Sequence, residues 1–76
     1  MRSYNLFRLK SDEGLCCAVP ESRVVPRFVT GGHWSFGGKV EEHSMGTPGF
    51  DGKAAATSVR FNGFYLFQTM DRRFIG

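Results

Sequence analysis

The sequence predicts a small α+β domain, a mainly antiparallel sheet of about four strands with one helix over about residues 51–62 packed on one face. Three observations lead there. Strand-like segments near both ends of the chain carry apolar groups on both faces. Turn residues separate the apolar runs. Asp51 and Gly63 bracket the one stretch whose composition and end signals suit a helix.

Tyr4–Lys10, YNLFRLK, reads as a strand with Tyr4 and Leu6 on one face and Phe7 and Leu9 on the other. Ser11, Asp12, Glu13 and Gly14 form a polar loop of hairpin length, and Leu15–Val19 follows as a short apolar run, so the first two strands make an antiparallel hairpin. Pro20 and Pro26 exclude an uninterrupted helix between them and leave a turn or a short helical piece around Ser22–Phe28. After Gly31 and Gly32, the residues Trp34, Phe36 and Val40 alternate with His33, Ser35 and Lys39, as one buried and one wet strand face require. Gly37 and Gly38 mark a bulge or a close approach. Residues 41–49, EEHSMGTPG, have turn formers and no periodicity and read as a mobile surface loop.

Phe50–Gly63 admits two readings. In the first, Asp51 caps a helix through Ala54, Ala55 and Ala56, with Phe50 as a hydrophobic staple and Gly63 as the C-terminal stop. In the second, Asn62-Gly63 is a type I′ turn and the domain is all-β. The alanines and the two matched ends favour the helix. Phe64–Met70 is a last strand with Phe64 and Leu66 on one face and Tyr65 and Phe67 on the other, a pattern that suits a central position in the sheet. Asp71–Arg73 leads out, with Phe74 and Ile75 packing back or fraying.

Seventy-six residues suffice for one core, so residues 1–76 are read as a single domain. At 41% hydrophobic and 22% charged, the chain lies far from the composition of disordered segments, and its aromatics, 14% of residues, allow a few large side chains to fill the core. The two cysteines, Cys16 and Cys17, are adjacent; a strand sends them to opposite faces, which excludes a disulfide framework. Together with the lack of an apolar leader after Met1 and of a membrane-spanning run, this predicts a cytoplasmic protein with no membrane partner. The net charge of +3 comes from scattered residues and is of the size that solubility alone explains.

The chemical motifs do not assemble. A Cys16 or Cys17 nucleophile needs a base such as His33 or His43, and nothing in the spacing brings them together. The same four residues make a poor zinc site, because adjacent cysteines on opposite strand faces do not converge on one tetrahedral centre. GHWSFGGK, Gly32–Lys39, misses a phosphate-binding loop by placing Gly38 where the lysine belongs. Glu41 and Glu42 beside His43 lie in the loop, without the rigid support that acid–base catalysis requires. NGFYLFQ, Asn62–Gln68, departs from the aromatic strand of RNA-recognition motifs, with Asn62 in place of the opening basic residue and Tyr65 in place of a small one.

What remains is the two-faced sheet, since one helix of three turns covers one face only. The other face is covered by irregular segments around Val24–Phe28, Met45 and Phe74, by a second copy, or by a partner. The expected function is therefore a non-catalytic binding or assembly module that associates with itself or an unidentified protein. Tyr4, Trp34, Tyr65 and Phe67 are expected to form its apolar surface. The alternative is single-stranded nucleic-acid binding, with Tyr4, Tyr65 and Phe67 stacking on bases beside Arg8 and Arg60. A third class, a small metal or thiol protein, is disfavoured; no catalytic residue, metal ligand or cofactor is expected.

Overall fold

The computed structural model describes residues 3–42 and 49–69. Four strands, β1 (Ser3–Leu9), β2 (Asp12–Pro20), β3 (Trp34–Glu41) and β4 (Tyr65–Gln68), form one antiparallel sheet in the order β3-β1-β2-β4. A single helical turn, α1 (Arg27–Thr30), lies between β2 and β3, and α2 (Gly52–Asn62) lies between β3 and β4. The architecture is thus the small α+β fold that the sequence predicts, with the helix where Asp51 and Gly63 place it.

β1 and β2 hold the two central positions, and their period of two divides the apolar side chains between two cores. Tyr4, Leu6, Cys16, Ala18, Val40 and Phe67 meet Ala55 and Val59 of α2 on one face. Cys17 and Val19 meet Val29 of α1 on the other, with Phe7, Val25, Trp34 and Phe64 packed around them. The crossover from β2 to β3 therefore supplies the cover of one face, and the crossover from β3 to β4 that of the other.

Helix α2 is bounded by its own ends. The Asp51 carboxylate accepts from the Lys53 and Ala54 amides at 2.9 and 3.2 Å, satisfying donors that have no partner inside a helix. Gly63, at φ +88°, donates its N–H to the Val59 carbonyl, and the Ser58 hydroxyl donates to the Phe64 carbonyl at 2.7 Å. A type I′ turn would need positive φ at Asn62 as well, and no non-glycine residue among those described has one. The Asn62-Gly63 hairpin is excluded.

Three local expectations need correction. β2 starts at Asp12, so the turn after β1 is only Lys10 and Ser11; the pairing jumps from Arg8↔Cys16 to Leu9↔Asp12, and the irregular stretch swings Gly14 toward β4, where its carbonyl accepts from the Thr69 amide. Of the two forms expected around Ser22–Phe28, the turn forms directly after Pro20, closed by the Arg23 amide on the Pro20 carbonyl, and the helical piece falls later, at Arg27–Thr30 beyond Pro26, whose carbonyl accepts from the Val29 amide. β4 is an edge strand and not a central one: its inner face lies under α2, and no strand among the described residues pairs beyond it. Residues 43–48 of the expected loop, with His43 and Met45, and the segment with Phe74 and Ile75 lie outside the described residues.

The bulge signalled by Gly37-Gly38 has a larger effect than the sequence reading assigns it. Tyr4 pairs with Val40 and Leu6 with Gly38, but Phe7 pairs with Phe36, so Gly37 is an extra residue in β3. One extra residue reverses the faces of everything beyond it. Val40 consequently points to the α2 core, while Trp34 and Phe36 share the opposite face with Phe7 and Leu9. The expected common buried face of Trp34, Phe36 and Val40 does not exist, and Phe36 is 60% exposed.

Phe50, immediately before the cap of α2, closes the first core. Its ring meets Tyr4, Tyr65 and Phe67 edge-to-face at 5.5, 5.8 and 5.4 Å. The approach is held by two glycines: a Cβ on Gly49, where φ is +88°, would strike the Gln68 carbonyl, and one on Gly52 would strike that of Glu42. Both obstacles are backbone atoms of neighbouring chain segments. Gly49→Ala and Gly52→Ala are each expected to lower stability by about 2–4 kcal/mol in urea unfolding. Gly32→Ala, strained only by its φ of +96° with open space around it, is expected to lose about 1 kcal/mol. Phe50→Ala should lose about 3 kcal/mol, and Phe61→Ala, whose ring is 77% exposed, less than about 0.5.

Candidate functional site

The residues that the sequence nominates for a surface do not share one. Tyr4 is fully buried and Phe67 is 6% exposed, both inside the α2 core, and Tyr65 is half-buried there, stacked parallel on Phe67 at 5.3 Å. Tyr4 and Phe67 are therefore corrected from contact residues to core residues: α2 and Phe50 cover the sheet face to which they belong. Trp34 is half-buried on the opposite face, edge-to-face with Phe28. Arg8 lies with its side chain against Gly37, where an added Cβ would meet its Cγ at 3.2 Å. Arg60 is exposed in the last turn of α2. The three rings proposed to stack on bases are thus packed on one another and on Phe50.

The exposed apolar side chains lie elsewhere. Phe36, Phe7, Cys17 and Leu66 are directly paired neighbours across all four strands, so the four side chains form one row on the face opposite α2. The middle of the row is covered, with Cys17 fully buried and Phe7 half-buried beneath the α1 segment. Its ends are not: Phe36 is 60% and Leu66 44% exposed, three strand spacings or about 14 Å apart. The covering segment is itself apolar outward, with Val24 90% and Phe28 43% exposed. The Phe28 ring is held edge-to-face between Trp34 and Phe64, at 5.9 and 5.0 Å, while Val25 and Val29 face inward.

Sequence reasoning missed Phe36, Leu66, Val24 and Phe28 as surface residues. For Phe36 a signal existed, since a bulge at Gly37-Gly38 entails a change of face. For Leu66 and Phe28 none did, because their exposure depends on how far a single helical turn reaches across the sheet.

The thiols are placed as adjacency requires, Cys16 in the α2 core and Cys17 in the other. Burial pushes the Cys17 thiol up to about 12, with the neighbouring Cys16 adding to the effect. Burial also raises Cys16, against a smaller opposing pull from the Arg8 charge. Both therefore stay protonated, and so poorly nucleophilic, at neutral pH. His33 is exposed in the turn just before β3. Among the described residues no three His, Cys, Asp or Glu side chains come close enough to hold a metal ion.

One shallow cleft of about 360 Å³ lies at the start of α2, lined by Glu42, Asp51, Gly52, Lys53 and Ala56. A helix N-terminus can hold an anion through its free amides. Here those of Lys53 and Ala54 are already taken by Asp51, and Glu42, which accepts from the Tyr4 hydroxyl at 3.4 Å, adds negative charge at the rim.

Comparison with protein-family models, curated proteins and solved structures finds no match to this chain. Among the described residues no helix is long and apolar enough to cross a membrane.

The thiol placement has a measurable consequence. A folded-state pKa raised above the unfolded value of about 9 means that the unfolded chain loses its proton first as pH rises, so stability is complete below pH 9 and falls above it. For Cys17 the loss should approach ~1.4 kcal/mol per pH unit between 9 and 12, and Cys17→Ala should flatten that slope in alkaline urea titrations. At neutral pH both thiols should react with iodoacetamide far more slowly in the folded chain than in urea.

Proposed function

We propose that the protein is a non-catalytic association module whose contact surface is the sheet face that carries α1. The observation that supports this reading is the distribution of exposed apolar groups. Of the five large hydrophobic side chains exposed among the described residues, Val24, Phe28, Phe36 and Leu66 belong to that face or to the segment over it, and only Phe61 lies elsewhere, on α2. Scattered exposed hydrophobics are ordinary on a small protein, whereas a concentration on one side marks a contact surface.

The surface differs from the one drawn from sequence. Trp34 stays in it as a half-buried support of Phe28, and Tyr4, Tyr65 and Phe67 leave it for the core beneath α2. The same placement removes the rings that favoured single-stranded nucleic acid. The protonated, enclosed thiols give a nucleophilic enzyme no support either.

The test is site-directed photo-cross-linking with benzoylphenylalanine at position 36, 66 or 61 of the full chain in living cells. Adducts are expected from positions 36 and 66 in clear excess over 61. Mass spectrometry then separates a second copy of the chain from a different protein. Equal or absent adducts at 36, 66 and 61 would overturn the assignment of this face.

A further inference from the structure

The segment over the second face offers a mixed surface, and its chemistry points to the kind of partner it fits. Residues 21–30, ESRVVPRFVT, contain one acidic and two basic side chains. The acid, Glu21, is neutralised by an ion pair with Lys39 on the edge strand. Arg23 and Arg27 are exposed and make no ion pair among the described residues. Between and beside them stand Val24, 90% exposed, and Phe28, 43% exposed.

This ridge is built, not frayed. The Arg23 amide donates to the Pro20 carbonyl at 2.9 Å, which turns the chain off the end of β2. Val29 donates to the Pro26 carbonyl at 3.0 Å, and the Thr30 hydroxyl to the Arg27 carbonyl at 3.0 Å, which closes the single turn of α1. Val25 and Val29 anchor it from below in the Cys17–Val19 core. Two exposed apolar side chains thus stand beside two guanidinium groups that no described carboxylate neutralises, on a backbone held by these hydrogen bonds.

We infer that this ridge docks an acidic segment of a partner protein that carries apolar side chains between its carboxylates. Arg23 and Arg27 would take carboxylates in the bidentate geometry that guanidinium favours, and Val24 and Phe28 would meet the intervening apolar groups. The observations favour protein over nucleic acid. Val24 is aliphatic and has no face for a base, and the ring of Phe28 is already clamped edge-to-face by Trp34 and Phe64. The inference rests on the association reading above and narrows it to one ridge and one charge.

The probe is a fluorescein-labelled peptide of repeated Asp-Glu-Leu-Phe, titrated with the full chain at low salt by fluorescence anisotropy. A repeated Lys-Lys-Leu-Phe peptide, an oligothymidylate and phosphatidylserine vesicles are run in parallel. The acidic peptide should bind tightest and shift the backbone NMR signals of Arg23, Val24, Arg27 and Phe28. The exposed double variant Arg23→Glu/Arg27→Glu should weaken it by about tenfold or more, equivalent to about 1.4 kcal/mol, and should gain affinity for the lysine peptide. Val24→Asp alone should also weaken it, through lost apolar contact and added like charge. Failure of the acidic peptide to bind, equal binding by the double variant, or tighter binding of the oligothymidylate or the vesicles would each overturn the inference. Cross-links from position 36 in the absence of any peptide response would sink this inference alone and leave the association reading standing.

Discussion

The structure turns on a simple constraint: the two central strands bury both of their faces. A strand alternates its side chains, so Tyr4 and Leu6 necessarily face away from Phe7, and Cys16 away from Cys17. A sheet with this pattern is insoluble in its own chain until each face has a cover. The topology meets the demand with its two crossovers. The link from β2 to β3 passes over one face, and the link from β3 to β4 passes over the other.

The two covers are unequal, and that inequality is the origin of the surface chemistry. α2 brings three turns, two caps and Phe50, whose ring closes over Tyr4, Tyr65 and Phe67. Gly49 and Gly52 allow the chain to pass close enough for this to happen. The opposite face has one helical turn of four residues, enough to seal Cys17 and Val19 at the centre. It does not reach the sheet edges, so Phe36 and Leu66 remain in solvent. Its outward side, part irregular backbone and part the α1 turn, intermixes arginines and apolar groups that a longer amphipathic helix would have separated.

Much of this was legible in the residues. The β1–β2 hairpin follows from the alternation in YNLFRLK and the short apolar run after Gly14; helix α2 follows from Asp51, the alanines and Gly63, and its observed bounds are those the caps imply. The division of Tyr65 and Phe67 from Phe64 and Leu66 was legible too, although not that β4 would be an edge strand. The site was read less well. Tyr4, Tyr65 and Phe67 looked like surface because large aromatics exceeded what one helix could cover; Phe50 was read only as a staple for α2, and its ring adds to the cover by packing on all three. Phe36 looked buried because the alternation was carried straight through Gly37-Gly38, where the bulge reverses it.

By itself, then, the sequence determined what is local: where α2 begins and ends, that the chain turns back after β1, and that adjacent thiols must enter different cores. Caps and the period of two act within a few residues, so a reader of the chain has all the information that the chain uses. Only the tertiary structure decided which apolar groups stay outside. Exposure at Phe36, Leu66, Val24 and Phe28 depends on strand order, on the register of the bulge against β1, and on how far the α1 turn extends over strands distant in sequence. Those are relations between segments, and the hydrophobic effect that rewards burial acts on whichever neighbours the fold brings together, without regard to their separation along the chain.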